Sequence, residues 1–270
     1  MSENHSRVIV FITGQLQRLI IRPKIETLFN PLMEQGYLPD IALMITEENS
    51  SRYSNNHSPP LESEFESYDQ AAKYLRESGF IVLTDEPIKQ SLHPNIPSHY
   101  LANMDKDYFT NEQKTWRVQN HARQFETLEK CERIICDKYD SVIRIRDDVA
   151  FDSVFLFGDT IKFLQSNTII TSDERTHEGI NDRMAFLSPD VAGKYFTAPK
   201  KYFFDAHLPF NYHNPESFLY GVYKIIININ IIQSELVRGV VRYYVDENRV
   251  IRIFKGDEDI TKSSSCVLAK

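Results

Sequence analysis

The sequence predicts an α/β fold: a central, mostly parallel sheet flanked by helices on both faces, leading into a mixed second half with a C-terminal β-hairpin. Three observations predict it. Four short runs, "RVIVFIT" (7–13), "LPDIALMIT" (38–46), "FIVLT" (80–84) and "SVIRI" (141–145), are rich in β-branched and apolar residues, as buried parallel strands are. Stretches with helical spacing of apolar residues alternate with them. No internal repeat is visible, and nine glycines and one tryptophan in 270 residues argue against a propeller or a collagen-like array.

Each element has its own signals. The first strand stops at Gly14, and the helical pattern after it carries Pro23 near its first turn and Gly36 just beyond its end. After the second strand, "EENSSRYSNNHSPPLESE" is polar and rich in Ser, Asn and Pro, which predicts a surface loop. "ESYDQAAKYLRESG" (66–79) predicts a helix ended by Gly79, and residues 111–139 carry apolar groups at helical spacing over many turns. The pattern changes after Asp148. There "IKFLQSNTIIT" (161–171) and "RMAFLS" (183–188) predict short strands and "PDVAGKYF" a short helix. "NPESFLYGVYKII" opens with Pro215 and Glu216, suited to a helix start, and "VVRYYV-DENR-VIRIF" predicts the hairpin. With no linker between the halves, one domain is expected over 1–260, followed by a frayed tail at 261–270.

Composition narrows the function. A formal net charge of −7 disfavours a general nucleic-acid binder, which needs a basic surface to neutralise phosphates. Three cysteines, Cys131, Cys136 and Cys266, show no spacing signature and predict reduced thiols in a cytoplasmic protein. The N-terminus lacks the pattern of a signal peptide, and the longest apolar run, "YKIIININII", is too short and Asn-rich to span a membrane.

In open α/β sheets ligands bind outside the carboxyl ends of the strands, and three stretches are placed there. In "TGQLQR", Gly14 allows close backbone approach, Gln15 offers donors and acceptors, and Arg18 can meet a phosphate. It is neither a dinucleotide fingerprint nor a P-loop, and an ordinary strand-to-helix turn is the alternative. In "VIRIRDDV", Asp147 and Asp148 follow a strand on which Arg144 and Arg146 share a face. Adjacent carboxylates suit Mg²⁺ or Mn²⁺; the alternative is a turn-capping Asp147 with an Arg144–Asp148 ion pair. In "GINDRMAF", Asn181 and Asp182 on a loop before a strand can face a polyol, or form a solvated turn.

Together "GQLQR", "VIRIRDDV" and "GINDRMAF" followed by "SPD" resemble soluble glycosyltransferases of the GT-A fold. They look like the compact ones encoded by large DNA viruses of algae and by capsule-polysaccharide loci. The resemblance spans 7–225 in three short islands. It implies a nucleotide-binding half at 7–148 and an acceptor-binding half at 149–260. It also implies a nucleotide-sugar donor, UDP-linked with a pentose or hexose, and a glycan or glycoprotein acceptor. In that family a D-x-D motif holds a metal against the donor diphosphate. Here the aspartates are adjacent and the position two beyond Asp148 is Ala150, so Mn²⁺ or Mg²⁺ at Asp147 and Asp148 and a metal-free, arginine-assisted site are both open.

On this reading Gly14, Gln15 and Arg18 meet the nucleotide, Arg144 or Arg146 orients the donor, and Asn181 meets the donor sugar. Asp182 is the first choice of catalytic base and Glu216 the second. His207 and His213 are further candidates for a metal ligand or an acceptor contact. A metal-dependent phosphoesterase or nuclease, and a non-catalytic carbohydrate- or nucleotide-binding module, are the competing classes. A homodimer is compatible with the sequence, which specifies none.

Overall fold

Ser6–Gln15 form β1, and the computed structural model describes the chain over residues 6–47, 64–91, 93–104, 110–135, 137–174, 176–245, 251–255 and 258–259. β1 pairs in parallel with β2 (Tyr37–Thr46) and β4 (Ser141–Arg146), and β2 pairs in parallel with β3 (Ile81–Val82). β7 (Met184–Leu187) runs antiparallel to β4 and to β6 (Thr168–Ser172), and β6 pairs in parallel with β8 (Asn230–Ser234). The result is a seven-stranded, mostly parallel sheet in the order β3-β2-β1-β4-β7-β6-β8. A second sheet, in the order β11-β10-β9-β5, contains β5 (Val149–Phe151), β9 (Val240–Val245), β10 (Ile251–Lys255) and β11 (Glu258–Asp259).

Strand alternation sends side chains to two cores. Val8, Val10, Ile12, Ile143 and Ile145 face one, which includes Leu28 and Phe29 from the continuous helix over 22–34 and Leu75 from Tyr68–Glu77. Ile9, Phe11, Val142 and Leu187 face the other, with Phe125 from the long helix Asn111–Glu132 and Phe196 from Pro189–Phe203. Local chemistry marks the helix ends. Ser67 accepts from the Gln70 amide, and Thr110 with Gln113 and Asn214 with Ser217 form capping boxes. Gly36 and Gly79 adopt positive φ where helices stop.

Several boundaries differ from expectation. The strand expected over 80–84 is two residues long at the sheet edge, and the helix expected over 111–139 ends at Glu132. Residues 161–171 are not one strand: a helix (Phe157–Ile161) precedes β6. β5 and β8 are strands that the sequence pattern did not separate from their surroundings. The short helix at 189 runs on to Phe203, through Pro199. A proline leaves the carbonyl four residues earlier without its helical partner. Here the Tyr223 hydroxyl donates to that Tyr195 carbonyl at 3.0 Å, so the helix continues. The hairpin forms from β9 and β10 as expected. Its "DENR" turn, the loop at 48–63, the tail at 261–270, Cys136 and Cys266 lie outside the described residues. Cys131 is a buried free thiol, and no helix among the described residues is long and apolar enough to cross a membrane.

Candidate active site

The carboxyl ends of β1 and β4 meet the residues that lead into β7, because β7 is antiparallel and starts at that edge. Arg144 and Arg146 point to the same side of β4, as alternation requires. Arg144 is almost wholly buried. Its Nε donates to Thr13 Oγ1 at 3.0 Å and its Nη1 to the Asp182 backbone carbonyl, so it ties the loop before β7 to β1. Arg146 stands further out and pairs with Asp148 at 3.0 Å and Asp182 at 3.4 Å.

Asp147 turns inward at the tip of β4 and is fully buried. Its Oδ2 accepts from the Gln15 amide at 2.6 Å and from Arg18 Nη2 at 2.8 Å, and its Oδ1 accepts from the Asp148 amide at 2.9 Å. The backbone does more of the same. The Asp147 amide donates to the Thr13 carbonyl, while its own carbonyl accepts from the Ile20 amide and from Lys24 Nζ. Gly14, at φ 147°, lies against this carboxylate, and a Cβ there would overlap it. Glycine at this turn is therefore required by Asp147. Lys24 is buried, and desolvation brings its pKa down to about 8 against the pull of Asp147 and Asp148. Burial pushes the Asp147 carboxyl up, and Arg18 pulls it back.

A divalent cation needs several oxygen ligands turned toward it. The Asp147–Asp148 pair does not fit one as placed. Asp147 spends both oxygens on Arg18 and two backbone amides, Asp148 is buried and held by Arg146, and neither lines the cleft. Among the described residues no cluster of three His, Cys, Asp or Glu side chains could hold a metal. The alternative reading is closer to what is seen, with one change: Asp147 does cap the turn, but the ion pair to Asp148 comes from Arg146 and Arg18, not Arg144.

The cleft in front of these strands has a volume of about 170 Å³. Ligand pockets usually run from about 300 Å³ upward, so this one is small and encloses only part of a ligand of that size. Its walls bring together Gly14, Gln15, Arg18, Arg144, Arg146, Asp182 and Glu216 from the sequence-predicted set. Asp182 receives hydrogen bonds from Arg146 Nη1 and Gln124 Nε2, both at 3.4 Å. Glu216, half-buried at the start of the helix Pro215–Tyr220, has its pKa raised to about 7, first by burial and then by the Asp182 charge. Gly179 packs on the Glu216 backbone, where a Cβ would overlap it.

Three predicted residues are placed elsewhere. Asn181 is buried and braces its own loop, accepting from the Arg183 amide and donating to the Glu174 carbonyl, both at 2.8 Å; it does not line the cleft. His207 is exposed on a loop after the Pro189–Phe203 helix, with its amide held by Asp205. His213 faces Glu178 at 3.4 Å.

The sequence reading missed the long helix's share of the wall. Arg117, Asn120, Arg123 and Gln124 line the cleft, with Trp116 and His121 beside them. Burial brings the His121 pKa down to about 3, so it stays neutral, with Nδ1 3.4 Å from the Tyr100 hydroxyl. The signal was a polar stripe, Arg117, Asn120 and Gln124 at three- and four-residue spacing, on a helix whose other faces are core. Arg183 and His177 also line the cleft from the loop before β7.

No protein-family model matches the chain, and no curated protein matches its sequence. Among solved structures it is similar to the apo-form glycosyltransferase GlyE of Streptococcus pneumoniae TIGR4, at 12% identity and a TM-score of 0.44 over 86% of this chain. A second GlyE structure gives 14% identity, a TM-score of 0.43 and 85% coverage of this chain. The chain spans about half of GlyE, 46% in both cases. It is also similar to mouse xyloside xylosyltransferase 1 in its apo form, at 8% identity and a TM-score of 0.40, over 85% of this chain and 84% of that one.

Proposed function

We propose that this protein is a glycosyltransferase that moves a sugar from a nucleotide-sugar donor to a hydroxyl of a glycan or glycoprotein. UDP-linked pentoses and hexoses are the first donors to try. One observation carries the reading. In a chain of net charge −7, a single cleft is lined by six arginines and two carboxylates, one of which titrates near neutrality. Asp147, Asp148 and Asp182 already pair with Arg18 and Arg146, but six arginines outnumber these three and Glu216, and the excess positive charge suits an anion. A leaving diphosphate is the anion that glycosyl transfer supplies.

The chemistry assigns roles by charge. As the bond from the anomeric carbon to the diphosphate breaks, negative charge grows on the diphosphate, and Arg18 and Arg146 at the strand tips stabilise it. The acceptor oxygen bonds to the anomeric carbon and passes its proton to a carboxylate. Glu216 suits that task better than Asp182, reversing the order expected from sequence. A base with a pKa near 7 is both ionised and proton-accepting at neutral pH, whereas Asp182 is engaged by Arg146 and Gln124. Asp182 then holds Arg146 in place and raises the basicity of Glu216. Gln15 and Gly14 offer backbone close to the nucleotide. No step runs through a metal at Asp147 and Asp148, whose oxygens are already committed.

Release of nucleoside diphosphate from a panel of sugar nucleotides, with chelator present, tests this. Turnover of at least one donor is expected to survive chelation and to fall by about 100-fold or more in Arg146→Gln. Hydrolysis of a phosphodiester, with every sugar nucleotide left intact, would replace the reading with a phosphoesterase.

A further inference from the structure

Residues 176–179 close a β-turn in which the Gly179 amide donates to the Thr176 carbonyl at 2.7 Å. Both central residues are left-handed, His177 at φ 46° and Glu178 at φ 62°. This is a primed type I turn, whose relaxed sequences are Asn-Gly and its relatives. The other left-handed non-glycine residues among those described are Asn167 and Asn228, a residue type that tolerates the conformation. Two bulky side chains in succession are unusual, and strain of this kind persists only where the surroundings over-determine it.

The surroundings do so here. Asn214 Nδ2 donates to the His177 carbonyl at 2.9 Å, and Gln233 Nε2 donates to the Gly179 carbonyl at 2.7 Å. The Ile180 amide donates to the Glu216 carbonyl at 3.3 Å. Glu178 and His177 are both exposed; Glu178 is turned to His213, and His177 stands in the cleft wall that also includes Pro215 and Glu216. The strained backbone thus has one consequence for the cleft: it sets His177 in the same wall as Glu216.

The sheet order says which part of a ligand it meets. Arg18 and Arg146 belong to the β1 and β4 tips, where the proposed diphosphate lies. His177 is on the connection from β6 to β7, beyond them and on the Glu216 side. An imidazole can hydrogen-bond a hydroxyl in either protonation state. Resting on the glycosyl-transfer reading, we infer that His177 is an acceptor-binding residue: its ring hydrogen-bonds a hydroxyl of an acceptor sugar next to the one that Glu216 deprotonates.

The test uses the full chain, UDP-glucose, UDP-galactose and UDP-xylose as donors, and methyl glycosides as acceptors, comparing wild type with His177→Asn and His177→Gly. Both variants relieve the left-handed turn, so their unfolding midpoints are expected to rise by roughly 1–3 °C. Despite that, the acceptor KM should rise about ten-fold, the loss of one hydrogen bond, and the ratio of transfer to donor hydrolysis should fall by a similar factor. A raised midpoint with an unchanged acceptor KM and unchanged ratio would overturn the assignment, leaving His177 as a turn residue only. Equal loss of transfer and hydrolysis would move it to the donor. Wild-type hydrolysis with no transfer to any glycoside would rule out a sugar acceptor here, whereas no turnover of any donor would remove the glycosyl-transfer reading itself.

Discussion

Glu216→Gln is expected to lower glycosyl transfer by about 10²- to 10⁴-fold, the usual worth of a general base, and at the same time to stabilise the protein above neutral pH. The two effects have one cause. Burial and the neighbouring Asp182 raise the Glu216 pKa from 4.5 to about 7, so the fold prefers the protonated carboxyl. The stability this group contributes is therefore complete below about pH 4.5 and lost as pH rises through 7. Glutamine never ionises, so its advantage should grow over that window to roughly 2 kcal/mol at pH 8, a rise of roughly 5 °C in the midpoint. At pH 4.5 the two proteins should unfold together. In the wild type, kcat/KM should rise with pH with an apparent pKa near 7, the value that burial and the Asp182 charge give Glu216. Full activity in Glu216→Gln would pass the role of base to Asp182. A stability difference independent of pH would remove the charge explanation.

Asp147→Ala is expected to cost roughly 3–5 kcal/mol, enough to lower the midpoint by roughly 10 °C. The substitution leaves the Gln15 and Asp148 amides without their acceptor and removes the closest partner of Arg18. Asp147→Asn should lose less, since it keeps one acceptor oxygen and burial already opposes the charge. Thermal unfolding of both, together with donor KM at several Mn²⁺ concentrations, separates structure from metal binding. Asp147 as an internal tie predicts the stability loss and a KM that does not respond to Mn²⁺. An unchanged midpoint with a Mn²⁺-dependent KM would return Asp147 to the role of a metal ligand.

Much of the parallel half was legible because local signals agreed with one another. β1, β2 and β4 are runs of buried residues on both faces, and Gly36 and Gly79 mark helix ends by a conformation that other residues avoid. Strand tips, and therefore Gly14, Arg18 and Arg146, followed from the rule for open sheets. What was not legible depended on contacts distant in sequence. Alternation along β4 says nothing about Asp147 once the strand gives way to a turn, and its inward direction is set by the Gln15 amide and Arg18, about 130 residues earlier. The run of the helix from Pro189 through Pro199 depends on Tyr223, which supplies the missing bond from a distant element. The raised pKa of Glu216 comes from burial and from Asp182, which no helix-start pattern reveals. The polar stripe from Arg117 to Gln124 was visible in the sequence, but on a helix between two strands it reads as a solvated face until the cleft in front of it is known.

The decisive measurement is thermal unfolding of the purified chain with UDP, GDP and their sugar conjugates, in excess chelator, for the wild type and Arg146→Gln. A ligand that binds only the folded state raises the midpoint. An arginine-lined diphosphate site predicts a rise with one nucleotide family that survives chelation and is lost in Arg146→Gln. If no nucleotide shifts the midpoint with chelator or with Mn²⁺, the six arginines are a structural charge cluster and the protein is not a nucleotide-sugar-dependent glycosyltransferase.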